Sequence, residues 1–192
     1  MTVAVGQRFE VRETALAGVR VLRRLPRGDD RGMLCRLFDA SELSDHWPWA
    51  VDQVNHTLTR RAGTVRGFHF QYAPHAEPKL VMCLRGSIVD VAVDLRVQAA
   101  RVGALHAQEL SAENGLMMLI PPGCAHGFQT LTDDVELLYV HGHPYWPSAE
   151  GGIHHADPDI GFTWPLPVTQ ISDRDAQLPT LAQLQSHGFN QT

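Results

Sequence analysis

A chain of 192 residues is long enough to bury a core and suits one domain, or one domain with arms. Its 44% hydrophobic and 19% charged residues are those of an ordinary globular protein, and no apolar run approaches the roughly 20 residues a membrane span needs. A formal net charge of −5 excludes a broad electrostatic surface for nucleic acid, so an anionic ligand must be held by a local cluster of arginines.

The first residues, MTVAVGQRFEVRETALAG, lack the basic-then-apolar layout of a secretion signal, which points to a cytoplasmic protein. Residues 8–25 alternate loosely and predict one or two strands. The turn-rich PRGDDRG follows, then a short strand over MLCRLF. Ser41 opens a helical turn that stops near Trp47-Pro48-Trp49, because proline disfavours helix in the residue before it. Strands are expected over 51–58, 65–71 and 79–84. Arg85-Gly86-Ser87 reads as a tight turn to a hairpin partner over 88–95, with Val89, Val91, Val93 and Leu95 toward the core and Asp90 and Asp94 on the other face. Further strands over 104–110, 115–120, 126–131 and 135–141 continue a spacing of about ten residues, the pattern of a sandwich or jelly-roll barrel. After Tyr145 the chain turns to Gly- and Pro-rich loop, with a short helix over 179–185.

Three cysteines, Cys35, Cys83 and Cys124, are odd in number, far apart and without a CxxC, which argues against a disulfide framework or a zinc knuckle. They read as reduced, part-buried thiols. Of the 16 basic residues only Lys79 is a lysine. A chain that fills surface positions with arginine and keeps one lysine marks it for chemistry that needs a compact ammonium. In period-two geometry Gln53 and Asn55 share a face, either the wall of a pocket or the wet side of a sheet.

Pro121-Pro122-Gly123-Cys124-Ala125-His126 fits P-x-G-x-x-H, a turn that sets a histidine at the start of a strand and resembles the second cupin motif. A metal-binding cupin would also want an H-x-H pair and a downstream Glu, since a d-block ion needs three or four converging ligands. The first-motif region holds His69 alone, with Gln71 two residues on, so no metal is expected. The late pair His141 and His143 has no acidic or third histidine partner at the expected spacing and reads as strand-end histidines.

Several motifs in order carry a wider resemblance. They include Gln53-x-Asn55-His56, Arg66-Gly67-Phe68-His69-Phe70-Gln71, Lys79-Leu80-Val81 and Asp90-Val91-Ala92-Val93-Asp94-Leu95-Arg96. Leu110-Ser111-x-Glu113-Asn114, Ala125-His126-Gly127-Phe128, Tyr139, Tyr145-x-Pro147 and Ser172-x-x-Asp175 follow. Together they resemble the dTDP-4-dehydrorhamnose 3,5-epimerase family, RmlC-like cupins, over nearly the whole chain. The resemblance implies an all-β cupin jelly roll, a double-stranded β-helix with short helices and N-terminal arm strands, in a single domain over 1–192. Residues 1–50 would be the arm and dimer-exchange strands, 51–145 the jelly-roll core and 146–192 the C-terminal loops and helix.

It also implies a homodimeric, cofactor-independent isomerase that inverts C3, C5 or both beside the C4 ketone of a nucleotide-linked 4-keto-6-deoxyhexose. By resemblance His69 is the base, Tyr139 the acid, Lys79 the cation at the enolate oxygen and Asp175 the carboxylate that orients the histidine, with Asp173 its substitute. Arg66 and Arg31, the latter carried across from a second subunit, would hold the diphosphate, and Gln53, Asn55, His126 and Tyr145 match other substrate-binding positions. Arg31 in a polar turn and His126 in a cupin turn also have purely structural readings. Simple alternation puts Arg66 and His69 on opposite faces, so the strand must bulge, and Gly67 is where it can.

The family's arm usually reads Arg-Gly-x-Phe-x-Glu; here Arg36 stands where the carboxylate is expected and reverses the local charge. The departures imply retained chemistry with altered sugar or nucleotide preference. Two readings of other classes stay open: a metal-dependent cupin oxygenase, if His69, His126, His141 and His143 converge, and a non-catalytic sugar-nucleotide binding protein.

Overall fold

The computed structural model describes residues 7–186. Two antiparallel sheets face each other across the core. One runs in the order β1 (Phe9–Glu13), β2 (Arg20–Arg24), β10 (Leu116–Ile120), β7 (Lys79–Arg85), β12 (Val135–His141) and β5 (Gln53–Thr59). The other runs β13 (Glu150–Gly152), β6 (Val65–Gln71), β11 (Cys124–Thr130), β8 (Ser87–Asp94) and β9 (Leu105–Ser111). Strands distant in sequence lie side by side in both sheets, the connectivity of the cupin jelly roll that the strand spacing and the resemblance predict.

Alternation explains why the fold has three apolar layers. Along β7, Val81 and Cys83 turn into the barrel with Ile88, Ala92, Met118, Ile120, Phe128 and Leu137, whereas Leu80 and Met82 turn out beneath Leu43 and Trp47. A strand covered on both faces reads as an unbroken apolar run, as LVMCL does. On the other sheet Val89, Val91 and Val93 also point outward, under Ile153, Ile160, Leu181 and Leu184 of the C-terminal segment. The valines thus face an apolar core with Asp90 on the other face, as expected, but that core is the one under the C-terminal segment, while Ile88, Asp90 and Ala92 form the barrel wall.

The turn at Gly86 forms, with φ 73° and no room for a Cβ, which would lie 2.4 Å from Thr132 Oγ1. The hairpin expected across it does not. β7 pairs with β10 and β12, while β8 pairs with β9 and β11. The turn carries the chain from one sheet to the other, because local turn chemistry sets the reversal and not the hydrogen-bond partners.

In the N-terminal arm, β2 pairs with β10 of its own chain. The strand expected over MLCRLF shrinks to β4 (Gly32–Leu34), which pairs with β3 (Arg27–Asp29) in the stretch expected to be turn. Leu37 and Phe38 instead join the outer layer, Phe38 edge-on to Trp47. The helical turn before Pro48 is present, closed by the Trp47 amide donating to Leu43 O at 2.7 Å. Its cap is Asp39 rather than Ser41, since Asp39 Oδ1 accepts from the Ser41 and Glu42 amides. Three short elements lie in the expected C-terminal loop, a 3₁₀ turn (Pro147–Ala149), β13 and α1 (Asp173–Ala176), and α2 (Leu181–Ser186) takes the place of the expected helix.

Candidate active site

Strand periodicity breaks at one place near the cavity. The register of β6 against β11 slips between Arg66, opposite Phe128, and His69, opposite His126, so that Gly67 and Phe68 bulge beside Gly127. Gly67 has φ 117°, and a Cβ there would lie 2.5 Å from Gly127 Cα and 2.6 Å from His126 O. The bulge turns Arg66 and His69 toward the same cavity, as the spacing requires.

That cavity, about 440 Å³, occupies the polar end of the barrel. β5 contributes Gln53, Asn55 and Thr57, and β11 contributes His126; Lys79 comes from β7, and Tyr139 and His141 from β12. His69 Nε2 lies 2.7 Å from Asp175 Oδ1, and Asp175 Oδ2 accepts the Gly67 amide at 3.1 Å. Ser172 caps α1 by accepting the Asp175 amide, so the carboxylate is fixed by its own backbone, the bulge and the imidazole. Burial opposes charge on Asp175, but the hydrogen bond and charge of His69 and the Gly67 amide outweigh it and hold the carboxyl below its usual range. With Nε2 held, Nδ1 is the nitrogen left to take a proton. Asp173, the substitute, is exposed.

On the facing sheet Lys79 Nζ meets Glu77 Oε1 at 3.1 Å, both side chains being buried, and Glu77 Oε2 takes His141 Nδ1 at 3.0 Å. Burial works against the Glu77 charge, yet the His141 hydrogen bond and the Lys79 ammonium bring its carboxyl down to about 2. Spacing along β12 gives His141 no acidic partner; the loop before β7 supplies one. Tyr139 is half-buried, its ring 6.1 Å from that of His126 and 6.0 Å from that of His141. Burial and the Asp90 charge push its phenol above the usual range. His126 Nε2 is held 2.6 Å from Asp90 Oδ1, at the base of the barrel wall.

Tyr145 stands exposed at the mouth, its hydroxyl donating to Glu150 Oε2 at 2.7 Å. A second concavity of about 660 Å³ shares Arg66 and His69 with the first and adds Arg60, Arg61 and Arg174. Arg31 is the expected residue that the fold does not bring in: it lies on the β3–β4 turn, 89% exposed, 2.5 Å from Asp29, outside its own chain's cavity. Arg36 pairs with Asp39.

Sequence reasoning missed Thr57, Glu77 and Glu150. Thr57 continues the period of Gln53 and Asn55, and Glu77 stands two residues before Lys79, so both were signalled by spacing. Glu150 lies in the segment read as loop, and no local pattern places it against β6.

The four histidines of a metal-bound reading take separate partners: Asp175, Asp90, Glu77 and, for His143 Nδ1, Pro144 O at 2.9 Å. Among the described residues no group of three or more His, Cys, Asp or Glu is arranged to hold a metal ion. Among the same residues no helix is long and apolar enough to cross a membrane.

A jelly roll that sets an oriented imidazole, a shielded phenol and a buried ammonium around one pocket is built as a cupin-fold isomerase working by proton transfer. The model of the dTDP-4-dehydrorhamnose 3,5-epimerase family matches residues 13–183, and the chain belongs to that family. It is 38% identical over 172 residues to dTDP-4-dehydrorhamnose 3,5-epimerase of Sinorhizobium fredii, with 88% of each chain covered. Among solved structures it is similar to a 4-keto-6-deoxy sugar epimerase from the novobiocin biosynthetic gene cluster of Streptomyces spheroides, with TM-score 0.91, 29% identity and coverage of 100% of this chain and 96% of that one. It is also similar to the Legionella pneumophila dTDP-6-deoxy-D-glucose-3,5-epimerase solved with dTDP-4-keto-L-rhamnose, with TM-score 0.89, 29% identity and coverage of 96% and 98%.

Proposed function

We propose that this protein epimerises a dTDP-linked 4-keto-6-deoxyhexose at C3, C5 or both, in the cytoplasm and as a homodimer. The observation that carries the reading is the His69–Asp175 pair turned toward a cavity that also holds Lys79 and Tyr139. His69 Nδ1 removes the proton next to the C4 ketone, and Asp175 supports the imidazolium that results. The electron pair moves to the ketone oxygen, where the Lys79 ammonium stabilises the enolate; one such donor is typically worth roughly 3–4 kcal/mol. Tyr139 returns a proton to the opposite face, a task that suits a phenol kept protonated by burial.

Gln53, Asn55 and His126 hold the sugar, Tyr145 lies toward the nucleotide, and Arg66 with the cationic groove beside it takes the diphosphate. Arg31 completes this clamp in the neighbouring subunit's cavity. Its hairpin exposes Met33 (74%) and Leu34 (61%), and edge strand β5 exposes Val54 (56%), apolar surface of the kind that a second copy covers.

The test is incubation in D₂O with dTDP-4-keto-6-deoxyglucose, following the C3 and C5 protons by NMR beside a His69→Ala control. Deuterium at one or both carbons, absent in the variant, supports the reading and counts the centres deprotonated, and the ring-proton couplings of the labelled product show which of them are inverted. Tight binding with no exchange would make the protein a sugar-nucleotide binder instead.

A further inference from the structure

The charge on the Lys79 side of the cavity does not suit an enolate as it stands. Lys79 and Glu77 form an ion pair at 3.1 Å with 8% and 9% of their side chains exposed. While that pair is intact, Glu77 neutralises the ammonium, and a developing oxyanion meets a site of net charge near zero. His69 and His126 also hold carboxylates, but neither of those carboxylates is paired with a lysine.

The third member of the cluster can supply the missing charge. His141 Nδ1 lies 3.0 Å from the other oxygen of Glu77, and His141 is the direct cross-strand partner of Lys79 in the β7–β12 register. We infer that Glu77 and His141 are positioning residues for Lys79. As negative charge develops on the substrate oxygen, His141 takes a proton from solvent and becomes the counter-cation of Glu77, which releases the ammonium to that oxygen. The cluster then carries one anion and two cations, net +1, against the −1 of the enolate. The inference rests on the epimerase reading and names how its lysine is set free.

The surroundings of His141 fit this role. On its own strand it faces Tyr139, ring to ring at 6.0 Å; across β5 it meets the neutral Gln53; from β7 and the loop before it come Lys79 and Glu77. Arg66, His69, His126 and Glu150 line the same cavity. Glu77, brought down to about 2, stays an anion throughout the working range, and imidazole is the side chain that changes charge between pH 5 and 8.

Two measurements test the exchange. The first needs no turnover: NMR titration of ¹⁵N-histidine-labelled wild type and Lys79→Met. With the ammonium gone, Glu77 has only His141, and the His141 midpoint rises by about one pH unit or more. A midpoint that does not move overturns the inference. The second follows turnover of dTDP-4-keto-6-deoxyglucose. His141→Gln lowers kcat about tenfold with KM changed less than about twofold, and adding Glu77→Gln to it restores most of the loss, because removing the anion frees Lys79 directly. A double variant worse than His141→Gln is the result of a merely structural pair and overturns the proposal. Absence of any exchange by the wild type removes the epimerase reading, and the titration still decides whether the cluster trades its counter-cation.

Discussion

His69 and Asp175 are 106 positions apart in sequence and 2.7 Å apart in the folded chain. Each is placed by a local device, the Gly67 bulge for the histidine and the Ser172 cap for the aspartate, and the Gly67 amide ties the two devices together. The dyad is therefore a property of two backbone features rather than of two side chains alone.

Asp175→Asn keeps the shape of the dyad and removes its charge. The amide no longer supports an imidazolium and can hold the wrong tautomer, so kcat is expected to fall by about 10²–10⁴ while KM stays within a few-fold. Steady-state kinetics checks this, and unchanged kcat would mean that His69 acts without an orienting carboxylate.

Gly67→Ala tests the bulge. The new Cβ meets the backbone of Gly127 and His126, atoms that cannot swing aside, at a positive φ that alanine resists. Stability is expected to drop by about 2 kcal/mol or more, read as a lower denaturation midpoint at unchanged slope. Activity falls further than stability requires, because the bulge aims both Arg66 and His69.

That bulge was legible in the sequence, since two residues with a shared task stood three apart on a strand with a glycine between them. So were most strands and the polar face of β5. The pairing of β7 and β8 was not: turn residues report a reversal, and a jelly roll sends the two arms of that reversal into different sheets. Glu77 was legible only in part, because its value depends on His141, 64 residues away. Arg31 sits on the β3–β4 hairpin, outside the cavity that its own chain builds around His69, so no pattern within one chain places it at the site.

Tyr139→Phe separates the two proton transfers. His69 can still remove and return the proton on its own face, so solvent deuterium is expected to enter with retained configuration. Inversion falls by about 10²–10⁴, the range of one lost general acid. NMR of the sugar ring distinguishes labelled starting material from labelled epimer. Inversion at an undiminished rate would assign the acid to another group.

Glu77 also makes a pH-dependent contribution to stability. Its carboxyl is lowered from 4.5 to about 2 in the folded chain, so the contribution is complete above about pH 4.5 and is lost as pH falls toward 2. Integrated over that window it is worth up to about 3 kcal/mol. The stability gap between wild type and Glu77→Gln should accordingly be widest above pH 4.5 and close as pH falls toward 2, measured by urea unfolding at each pH. A gap that is constant across this range would mean that the lost hydrogen bonds, and not the charge, set the cost.

The reach of Arg31 into a neighbouring cavity can be decided by mixing. Arg31→Ala and His69→Asn are each expected to be nearly inactive, the first through a raised KM and the second through lost proton abstraction. If Arg31 acts across a dimer interface, a mixed dimer has one cavity with His69 from the first variant and Arg31 from the second, both intact. Equal amounts unfolded and refolded together put about half of the chains into mixed dimers, each with one of its two sites complete, so about a quarter of wild-type activity returns. If Arg31 serves its own chain, no combination of these subunits completes a site and the mixture stays inactive. Sedimentation of the refolded sample in the same buffer separates this result from a failure to dimerise.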